Sequence, residues 1–195
     1  MISAIILAAG KSVRMRENKL LMKWGDKTVI EKVIQTIQEA GIEDIVLVTN
    51  DKLQVTSYKL QVTNYDLRFT INATNHEMLS SIKLGLQNQN VTTEATLICL
   101  GDQPQIESRS VVAVCEAYQK NKSKLVVPSY HKRRGHPWLV AKPLWNEILG
   151  MTENESPRDF LNKHADEIEY VNVDTPTILQ DLDTPEDYLK YKPSV

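Results

Sequence analysis

The sequence predicts an α/β fold with a mostly parallel central sheet, on the strength of two observations. Short apolar runs typical of buried parallel strands recur along the chain, among them residues 2–7, 44–50 and 95–100. Segments with the apolar spacing of amphipathic helices lie between these runs, so that strand, helix and strand follow one another within the first fifty residues. This alternation is typical of right-handed βαβ units, which build a parallel sheet.

The length and composition indicate a single globular unit. The chain has 195 residues, enough for one domain with a full core and too few for two ordinary domains, so we expect one domain over residues 1–195. A hydrophobic content of 42% and a charged content of 25% are typical of a soluble protein. The net charge of −2 argues against general binding to nucleic acid or membrane surfaces. No apolar run approaches the roughly 20 residues of a membrane span, and signal-peptide features are missing, so we expect a cytoplasmic protein.

The remaining elements are predicted from helix caps and apolar periodicity. Thr28 and Glu31 have the spacing of a capping box, and Gly41 marks the end of the helix that follows. Further strands are expected at residues 67–72, 124–128 and 167–173, and further helices at residues 78–87 and 107–120 and after Ser156 and Thr184, each of which precedes a proline. Cys99 and Cys115 have neither the number nor the spacing of a zinc or disulfide framework, so we expect reduced core residues.

Residues 52–65 contain one heptapeptide twice, with a single change between the copies. One duplication is too short for a solenoid, and two heptads are too few for a coiled coil. We therefore interpret residues 52–65 as an inserted surface segment.

The turn after the first strand has the composition of a phosphate-binding loop. The strand ends at Leu7, and Ala8, Ala9 and Gly10 are small enough for a ligand to approach the backbone N–H groups. Four cations follow within nine residues, at positions 11, 14, 16 and 19. Cations beside such a turn suit a polyphosphate, although a buried strand followed by a solvated basic loop would have the same composition. The turn is neither a Walker loop nor a dinucleotide fingerprint, since the further glycines of both are missing.

An aspartate follows the apolar run at residues 95–100, in the sequence Gly101-Asp102-Gln103-Pro104. Ligands of an open α/β sheet lie beyond the carboxyl ends of its strands, so Asp102 is expected at the same edge as the first turn. A carboxylate there can hold Mg²⁺, which prefers oxygen ligands and is often shared with substrate phosphates. The alternative is a simple turn aspartate before a proline.

Two hydroxyls and an acidic pair are further candidates. Ser80 and Ser81, near the start of the predicted helix at residues 78–87, could contact a nucleotide or could act only as caps. Glu186 and Asp187 lie at the start of the last predicted helix, and we expect them to complement its dipole. Asp181 or Asp183, just before that helix, could instead complete a metal site.

A basic loop at residues 131–136 follows the strand predicted at residues 124–128. Arg133 and Arg134 supply forked donors that suit phosphate, and Gly135 lets the backbone turn tightly toward a ligand. A solvated charged hairpin is the alternative for such a run. His131 and His136 lack the spacing of a zinc site.

Residues 7–19 resemble the Leu-Ala-Ala-Gly-x-Ser-x-Arg-Met-Gly-(x)-Lys signature of the MobA-like nucleotidyltransferases, the family of the molybdenum cofactor guanylyl- and cytidylyltransferases. Residues 101–104 are similar to the metal motif of this family, with the glutamine of the cytidylyltransferase branch. Residues 133–137 resemble the Arg-Arg-Gly-His-Pro substrate loop of that branch, and residues 181–188 resemble the acidic ending of the family. Three positions depart from the pattern, since Arg16 replaces a glycine, Ala73 a proline, and Leu79 a residue that is often small.

This resemblance implies a three-layer α/β/α, Rossmann-like nucleotidyltransferase fold of the glycosyltransferase-A-like kind. It implies catalysis by Arg14, Lys19 and Asp102, nucleotide binding by Leu7, Ala8, Ala9, Gly10, Asn72, Ser80 and Ser81, substrate binding by Arg133, Arg134, Gly135 and His136, and metal binding by Asp102 with Asp181 or Asp183. The implied reaction is Mg²⁺-dependent transfer of CMP from CTP to the phosphate of molybdopterin or molybdenum cofactor, with release of pyrophosphate. A molybdoenzyme is a candidate partner. The alternatives are a GTP-dependent or sugar-phosphate nucleotidyltransferase, and a non-catalytic maturation protein for a molybdoenzyme on the same fold.

Overall fold

A mixed sheet with helices on both faces forms the frame of the protein. The computed structural model describes residues 1–10, 14–15, 18–50, 67–72 and 77–193, and every element below belongs to them. The strands are β1 (Ile2–Ala8), β2 (Lys23–Trp24), β3 (Lys27–Thr28), β4 (Ile45–Thr49), β5 (Leu67–Ile71), β6 (Ala95–Leu100), β7 (Leu125–Tyr130), β8 (Arg133–Arg134), β9 (Trp138–Ala141) and β10 (Ile168–Asn172). The helices are α1 (Val29–Glu39), α2 (Met78–Gln87), α3 (Ser108–Asn121), α4 (Trp145–Gly150), α5 (Pro157–Lys163) and α6 (Pro185–Tyr191). Short 3₁₀ turns cover Lys19–Leu21, Lys142–Leu144, Ala165–Glu167 and Pro176–Leu179.

The sheet is mostly parallel, as the sequence predicts. Its strands lie in the order β10-β7-β9-β6-β1-β4-β5, and β8 pairs with β7. Strand β1 is parallel to both β4 and β6, β5 is parallel to β4, and β10 is parallel to β7. Strands β8 and β9 are the exceptions, because β9 runs antiparallel between β6 and β7 and β8 pairs antiparallel with β7. Neither β9 nor α4 is predicted from the sequence.

The two faces of the sheet carry separate hydrophobic cores, which gives three layers. Alternate residues of β1 point to opposite faces, so Ile6 packs with α1 and α3 whereas Ile5 packs with α2, α4 and α5. Helix α2 lies close to β1 at Gly85, where an added Cβ would come within 2.6 Å of the Ile5 side chain. This packing confirms the predicted three-layer α/β/α arrangement.

Local capping signals are formed as the sequence predicts. Thr28 and Glu31 make a capping box at the start of α1, and Gly41 follows its end with a φ of +83°. Capping boxes also open α5 at Ser156 and α6 at Thr184. The predicted surface insertion at residues 52–65 lies outside the described residues. Within the described part of the chain, no helix is both long and apolar enough to cross a bilayer.

The register of the central strands brings three carboxyl ends to one edge of the sheet. Leu7 of β1 pairs with Leu100 of β6, and Ala8 pairs with Thr49 of β4. The residues that follow these strands therefore lie side by side. This edge is where an open α/β sheet binds its ligands.

Candidate active site

The turn at Gly101 fixes Asp102 beside the end of β1. The Gly101 N–H donates to the Leu7 carbonyl at 3.0 Å, and a Cβ on Gly101 would lie 2.9 Å from that oxygen. Any larger residue would push the two backbones apart, so the glycine allows this close approach. Asp102 thus emerges at the first turn, as the sequence predicts.

Four charged side chains meet at this point and form what we call the charge cluster: Arg14, Lys19, Asp102 and Asp183. Lys19 Nζ lies 2.5 Å from Asp102 Oδ2 and 3.5 Å from Asp183 Oδ1. Arg14 Nη2 lies 2.9 Å from Asp183 Oδ2. The side chain of Lys19 is only 13% exposed, whereas that of Arg14 is 66% exposed. Residues separated by more than 160 positions therefore share one ion-pair network.

Asn18 places Lys19 in this cluster through local structure. The Asn18 side chain accepts from the Leu20 N–H at 3.1 Å and caps the 3₁₀ turn Lys19–Leu21. Leu20 is buried in the core, which anchors the turn. The chain thus holds the lysine stem against the protein while its ammonium faces the two carboxylates.

The segment before α6 is fastened to the Asp102 turn. The Leu182 N–H donates to the Asp102 carbonyl at 3.1 Å, and the Leu182 side chain is fully buried. On one side of Leu182, Asp183 joins the charge cluster. On the other side, Asp181 accepts from the buried Gln103 side chain at 2.6 Å. The two candidate metal ligands thus have different partners.

Asp181 has a pKa raised above its usual range. Burial is the main cause, and the nearby Asp102 and Asp183 raise the pKa further, although the hydrogen bond from Gln103 and the charge of Lys19 oppose them. These effects place all three aspartates in one electrostatic environment.

One asparagine side chain contacts the small-residue turn and another contacts the start of α2. Asn50 follows β4 and donates to the Ala9 carbonyl at 3.2 Å. The buried Asn72 donates to Ser80 Oγ and to Ser81 Oγ, each at 2.9 Å. Neither serine caps α2, whose N-cap residue is Glu77 and makes no side-chain capping bond. The capping interpretation is therefore wrong, and both serines lie within the first turn of the helix beside Asn72.

The basic loop is a β-hairpin that contacts the C-terminal segment. Strands β7 and β8 are joined through His131 and Lys132, both with positive φ, which is typical of a two-residue hairpin turn. The His136 N–H donates to the Ile178 carbonyl at 3.0 Å, and a Cβ on Gly135 would lie 2.5 Å from the same oxygen. The sequence predicts a charged hairpin as the alternative to a phosphate-binding loop, and this hairpin is formed. Its base contacts Ile178, three residues before Asp181.

Side chains of the hairpin have distinct surroundings. Arg134 donates to Tyr170 Oη at 2.9 Å and to Asn162 Oδ1 at 2.8 Å, while Arg133 is exposed. His136 is partly buried, and desolvation lowers its pKa to about 4, so its imidazole is neutral at physiological pH. The structure therefore places Gly135 and His136 against Ile178, three residues before Asp181, and directs Arg134 toward β10 and α5.

Comparison with known proteins identifies the family. Residues 4–168 match the MobA-like NTP transferase domain. The chain belongs to this family. Residues 4–168 thus form a domain of the nucleotidyltransferase type, and the fold is that of the family.

Individual relatives of this MobA-like protein differ in how much of it they match. Bifunctional protein GlmU of Syntrophomonas wolfei is 32% identical over 135 residues, which cover 66% of this chain and 28% of GlmU. The chain thus spans less than a third of the GlmU relatives' length. Molybdenum cofactor cytidylyltransferase of Escherichia coli K12 is 24% identical over 193 residues, covering 98% of this chain and 95% of the relative. The crystal structure of Rv0371c from Mycobacterium tuberculosis has a TM-score of 0.84 at 19% identity, covering 100% and 99% of the two chains. A second Rv0371c structure, in complex with manganese, has a TM-score of 0.80 at 20% identity over the same shares.

The charge cluster has the donors that a divalent cation requires. Asp102 Oδ2 and Asp183 Oδ1 already converge on one positive group, the Lys19 ammonium. Carboxylate oxygens are the ligands that Mg²⁺ and similar hard cations prefer. Among the described residues, no three His, Cys, Asp or Glu side chains are grouped closely enough to hold a metal ion by themselves. A cation here would therefore complete its coordination with substrate oxygens and water, as Mg²⁺ commonly does.

Two residues of the site are missed by reasoning from the sequence. Gln103 is noted there only as a mark of the cytidylyltransferase branch, yet its buried amide holds Asp181. The sequence patterns do not indicate Asn50, although its side chain reaches the first turn. Both are polar residues near the carboxyl end of a buried strand, Asn50 directly after β4 and Gln103 three positions after β6, and this position could have indicated them.

Proposed function

We propose that this MobA-like protein transfers CMP from CTP to the phosphate of molybdopterin or of molybdenum cofactor and releases pyrophosphate. The observation that carries the transfer chemistry is the charge cluster beside the small-residue turn, where Lys19 contacts both Asp102 and Asp183. The choice of CTP and acceptor is supported by the E. coli cytidylyltransferase, which matches nearly the whole chain, whereas the GlmU relative matches two thirds of it.

In the proposed reaction, positioning and charge neutralisation accelerate an in-line displacement. An oxygen of the acceptor phosphate attacks the α-phosphorus of CTP. The bond from that phosphorus to the oxygen bridging to the β-phosphate breaks, and pyrophosphate leaves with the electron pair. Lys19 and Arg14 hold the triphosphate against the backbone of residues 7–10. Asp102 and Asp183 would hold a divalent cation, which when bound would supply positive charge to the α-phosphate and the leaving pyrophosphate.

The remaining predicted nucleotide contacts are assigned to the start of α2. Asn72 fixes Ser80 and Ser81 on the first turn of this helix. Backbone N–H groups and hydroxyls at such a turn suit the base or a phosphate. We assign Asn72 the task of holding the two hydroxyls in place.

The acceptor is assigned to the base of the hairpin. Arg133 is exposed there and suits the acceptor phosphate, and Arg134 holds β8 against Tyr170 while its guanidinium stays at the surface. His136 is neutral, so it can exchange hydrogen bonds with an uncharged acceptor group without adding charge. Gly135 keeps this loop close to the segment that carries Asp181.

The cellular setting follows from the same proposal. Cys99 and Cys115 are buried free thiols, as predicted, which is consistent with a reducing compartment such as the cytoplasm. The product would then be passed to a molybdoenzyme, our candidate partner.

A pyrophosphate-release assay tests the proposal. The purified chain is incubated with Mg²⁺, one of CTP, GTP, UTP or ATP, and either molybdopterin or a sugar 1-phosphate. We expect release with CTP and molybdopterin together, and none when either is omitted. Release with GTP and molybdopterin would assign the protein to the guanylyl branch, and no release under any combination would favour the non-catalytic maturation protein.

A sugar phosphate is the second candidate acceptor. The GlmU relative is more similar over its aligned region, at 32% identity, than the E. coli cytidylyltransferase at 24%. The sugar 1-phosphate arm of the assay distinguishes the two, because only one acceptor class should support release.

A further inference from the structure

Lys19 occupies the place that the two metal-binding carboxylates share. Its Nζ is within hydrogen-bond distance of Asp102 Oδ2, at 2.5 Å, and lies 3.5 Å from Asp183 Oδ1. The side chains of Lys19 and Asp102 are only 13% and 20% exposed, so water does little to screen this contact. A divalent cation would need the same two carboxylate oxygens as ligands.

The charge cluster is balanced without any ligand. Its four side chains carry two positive charges, on Lys19 and Arg14, and two negative charges, on Asp102 and Asp183. A divalent cation entering this arrangement would meet an ammonium group a few ångströms away and would add two uncompensated positive charges. A triphosphate reverses the balance, because its oxygens can accept the hydrogen bonds that Lys19 and Arg14 now give to the aspartates.

We infer that Lys19 is an internal counter-ion that keeps divalent metal off Asp102 and Asp183 until a nucleoside triphosphate draws its ammonium away. This inference rests on the proposed metal-dependent function of the site. Metal and nucleotide then strengthen each other's binding, because the triphosphate accepts the hydrogen bonds of Lys19 and the freed aspartates can bind the metal. By linkage, the factor by which nucleotide strengthens metal binding equals the factor by which metal strengthens nucleotide binding.

Binding of Mn²⁺, followed by the electron paramagnetic resonance signal of the free ion, tests this without any turnover. The wild-type protein is titrated with Mn²⁺ alone and with Mn²⁺ plus a non-hydrolysable CTP analogue. The test variant is Lys19→Met, which keeps the length of the side chain and removes its charge. The matched control is Lys27→Met, since Lys27 pairs with the exposed Asp26 at 3.5 Å and lies outside the charge cluster. Circular dichroism checks that each variant is folded, and Lys19→Gln replaces Lys19→Met if the latter is not.

In the absence of nucleotide, we expect Lys19→Met to bind Mn²⁺ about tenfold more tightly than the wild type, and Lys27→Met to bind it as the wild type does. The strengthening by the CTP analogue should be smaller in Lys19→Met than in the wild type. Asp102→Asn in the Lys19→Met background should abolish the gain, which locates the ion at this carboxylate.

Two other outcomes have separate meanings. If Lys19→Met binds Mn²⁺ no better than the wild type while nucleotide still strengthens wild-type binding, the counter-ion role is refuted and the metal-dependent site stands. If the wild type binds no Mn²⁺ even with the analogue, the proposed metal-dependent function itself fails.

Discussion

Asp102 is the carboxylate on which most of the proposed chemistry converges. Its side chain contacts Lys19, and its backbone carbonyl accepts from Leu182. We expect Asp102→Asn to lower the rate of pyrophosphate release by more than about a hundredfold, because the amide removes a charge where positive groups gather around the triphosphate. The backbone contact remains, so the melting temperature should change little.

The control for Asp102→Asn is Asp26→Asn. Asp26 is 89% exposed and makes only a surface ion pair with Lys27, which contributes little. Its activity should equal that of the wild type. Unchanged turnover in Asp102→Asn would remove Asp102 from the proposed role.

His164 gives the protein a pH-dependent contribution to stability far from the candidate site. Its ring nitrogens lie 3.0 Å from Glu147 Oε1 and 3.0 Å from Glu167 Oε1. Burial lowers the pKa of His164, but the hydrogen bonds and charges of the two glutamates together outweigh it, so the pKa is raised above 6.5. Because the folded pKa exceeds the unfolded one, this stabilisation is complete below the unfolded pKa and is lost as the pH rises through the folded pKa.

We therefore expect His164→Gln to destabilise the protein more at about pH 5.5 than at about pH 8.5. The difference should be no more than about 1 kcal/mol, since both glutamates are partly exposed. Urea denaturation at the two pH values measures it. A loss of stability equal at both values would mean that His164 carries no charge in the folded protein.

The sequence alone does not distinguish Asp181 from Asp183 as the aspartate that contacts Lys19. The pattern before α6 indicates that one of them joins the site, and only packing separates them. Leu182 is buried, which turns its neighbours outward to different partners. Asp183 reaches Lys19, while Asp181 is held by Gln103.

At the scale of elements, the contact between the hairpin and the C-terminal segment depends on Gly135. A Cβ there would lie 2.5 Å from the carbonyl oxygen of Ile178 and 2.6 Å from Cδ1 of the Ile178 side chain. Because a backbone atom cannot move away alone, we expect Gly135→Ala to cost about 1–3 kcal/mol of unfolding free energy. It should also raise the KM for the acceptor more than the KM for the nucleotide.

Gly150→Ala is the matched control for this substitution. Gly150 ends α4, and an added Cβ would meet nothing within 4 Å. Its unfolding free energy, measured with urea, should stay within about 0.5 kcal/mol of the wild type. If both variants unfold alike, the steric argument at Gly135 is wrong.

Elements with strong local signals are predicted from the sequence, and β9 is not. Strands β1, β4 and β6 are apolar runs followed by turn residues, and Thr28 caps α1 through its own side chain. Strand β9 is a four-residue run, Trp138–Ala141, that lies between β6 and β7. Its antiparallel direction depends on long-range pairing with β6, which the residues within and next to β9 do not indicate.

At the scale of the whole molecule, the candidate site depends on contacts between distant parts of the chain. Lys19 comes from the 3₁₀ turn Lys19–Leu21, Asp102 from the turn after β6, and Asp183 from the segment just before α6. The match to the family domain ends at residue 168, so Asp183 lies beyond it. The resemblance in short motifs could indicate each piece, but their distances depend on the packing of the complete fold.

Leu182 is the residue that holds the last of these segments in place. It is fully buried in the core beneath α1 and α3, and its N–H bonds to the Asp102 carbonyl. We expect Leu182→Ala to lower the unfolding free energy by about 2–5 kcal/mol, because a cavity forms. Leu189→Ala is the control, since Leu189 is 62% exposed on α6 and its substitution should change stability by less than about 0.5 kcal/mol.

At a temperature where Leu182→Ala remains folded, loosening of Asp183 should still weaken Mn²⁺ binding in the presence of the CTP analogue. Wild-type Mn²⁺ affinity in a destabilised Leu182→Ala would show that the Leu182 side chain does not position Asp183 for the metal.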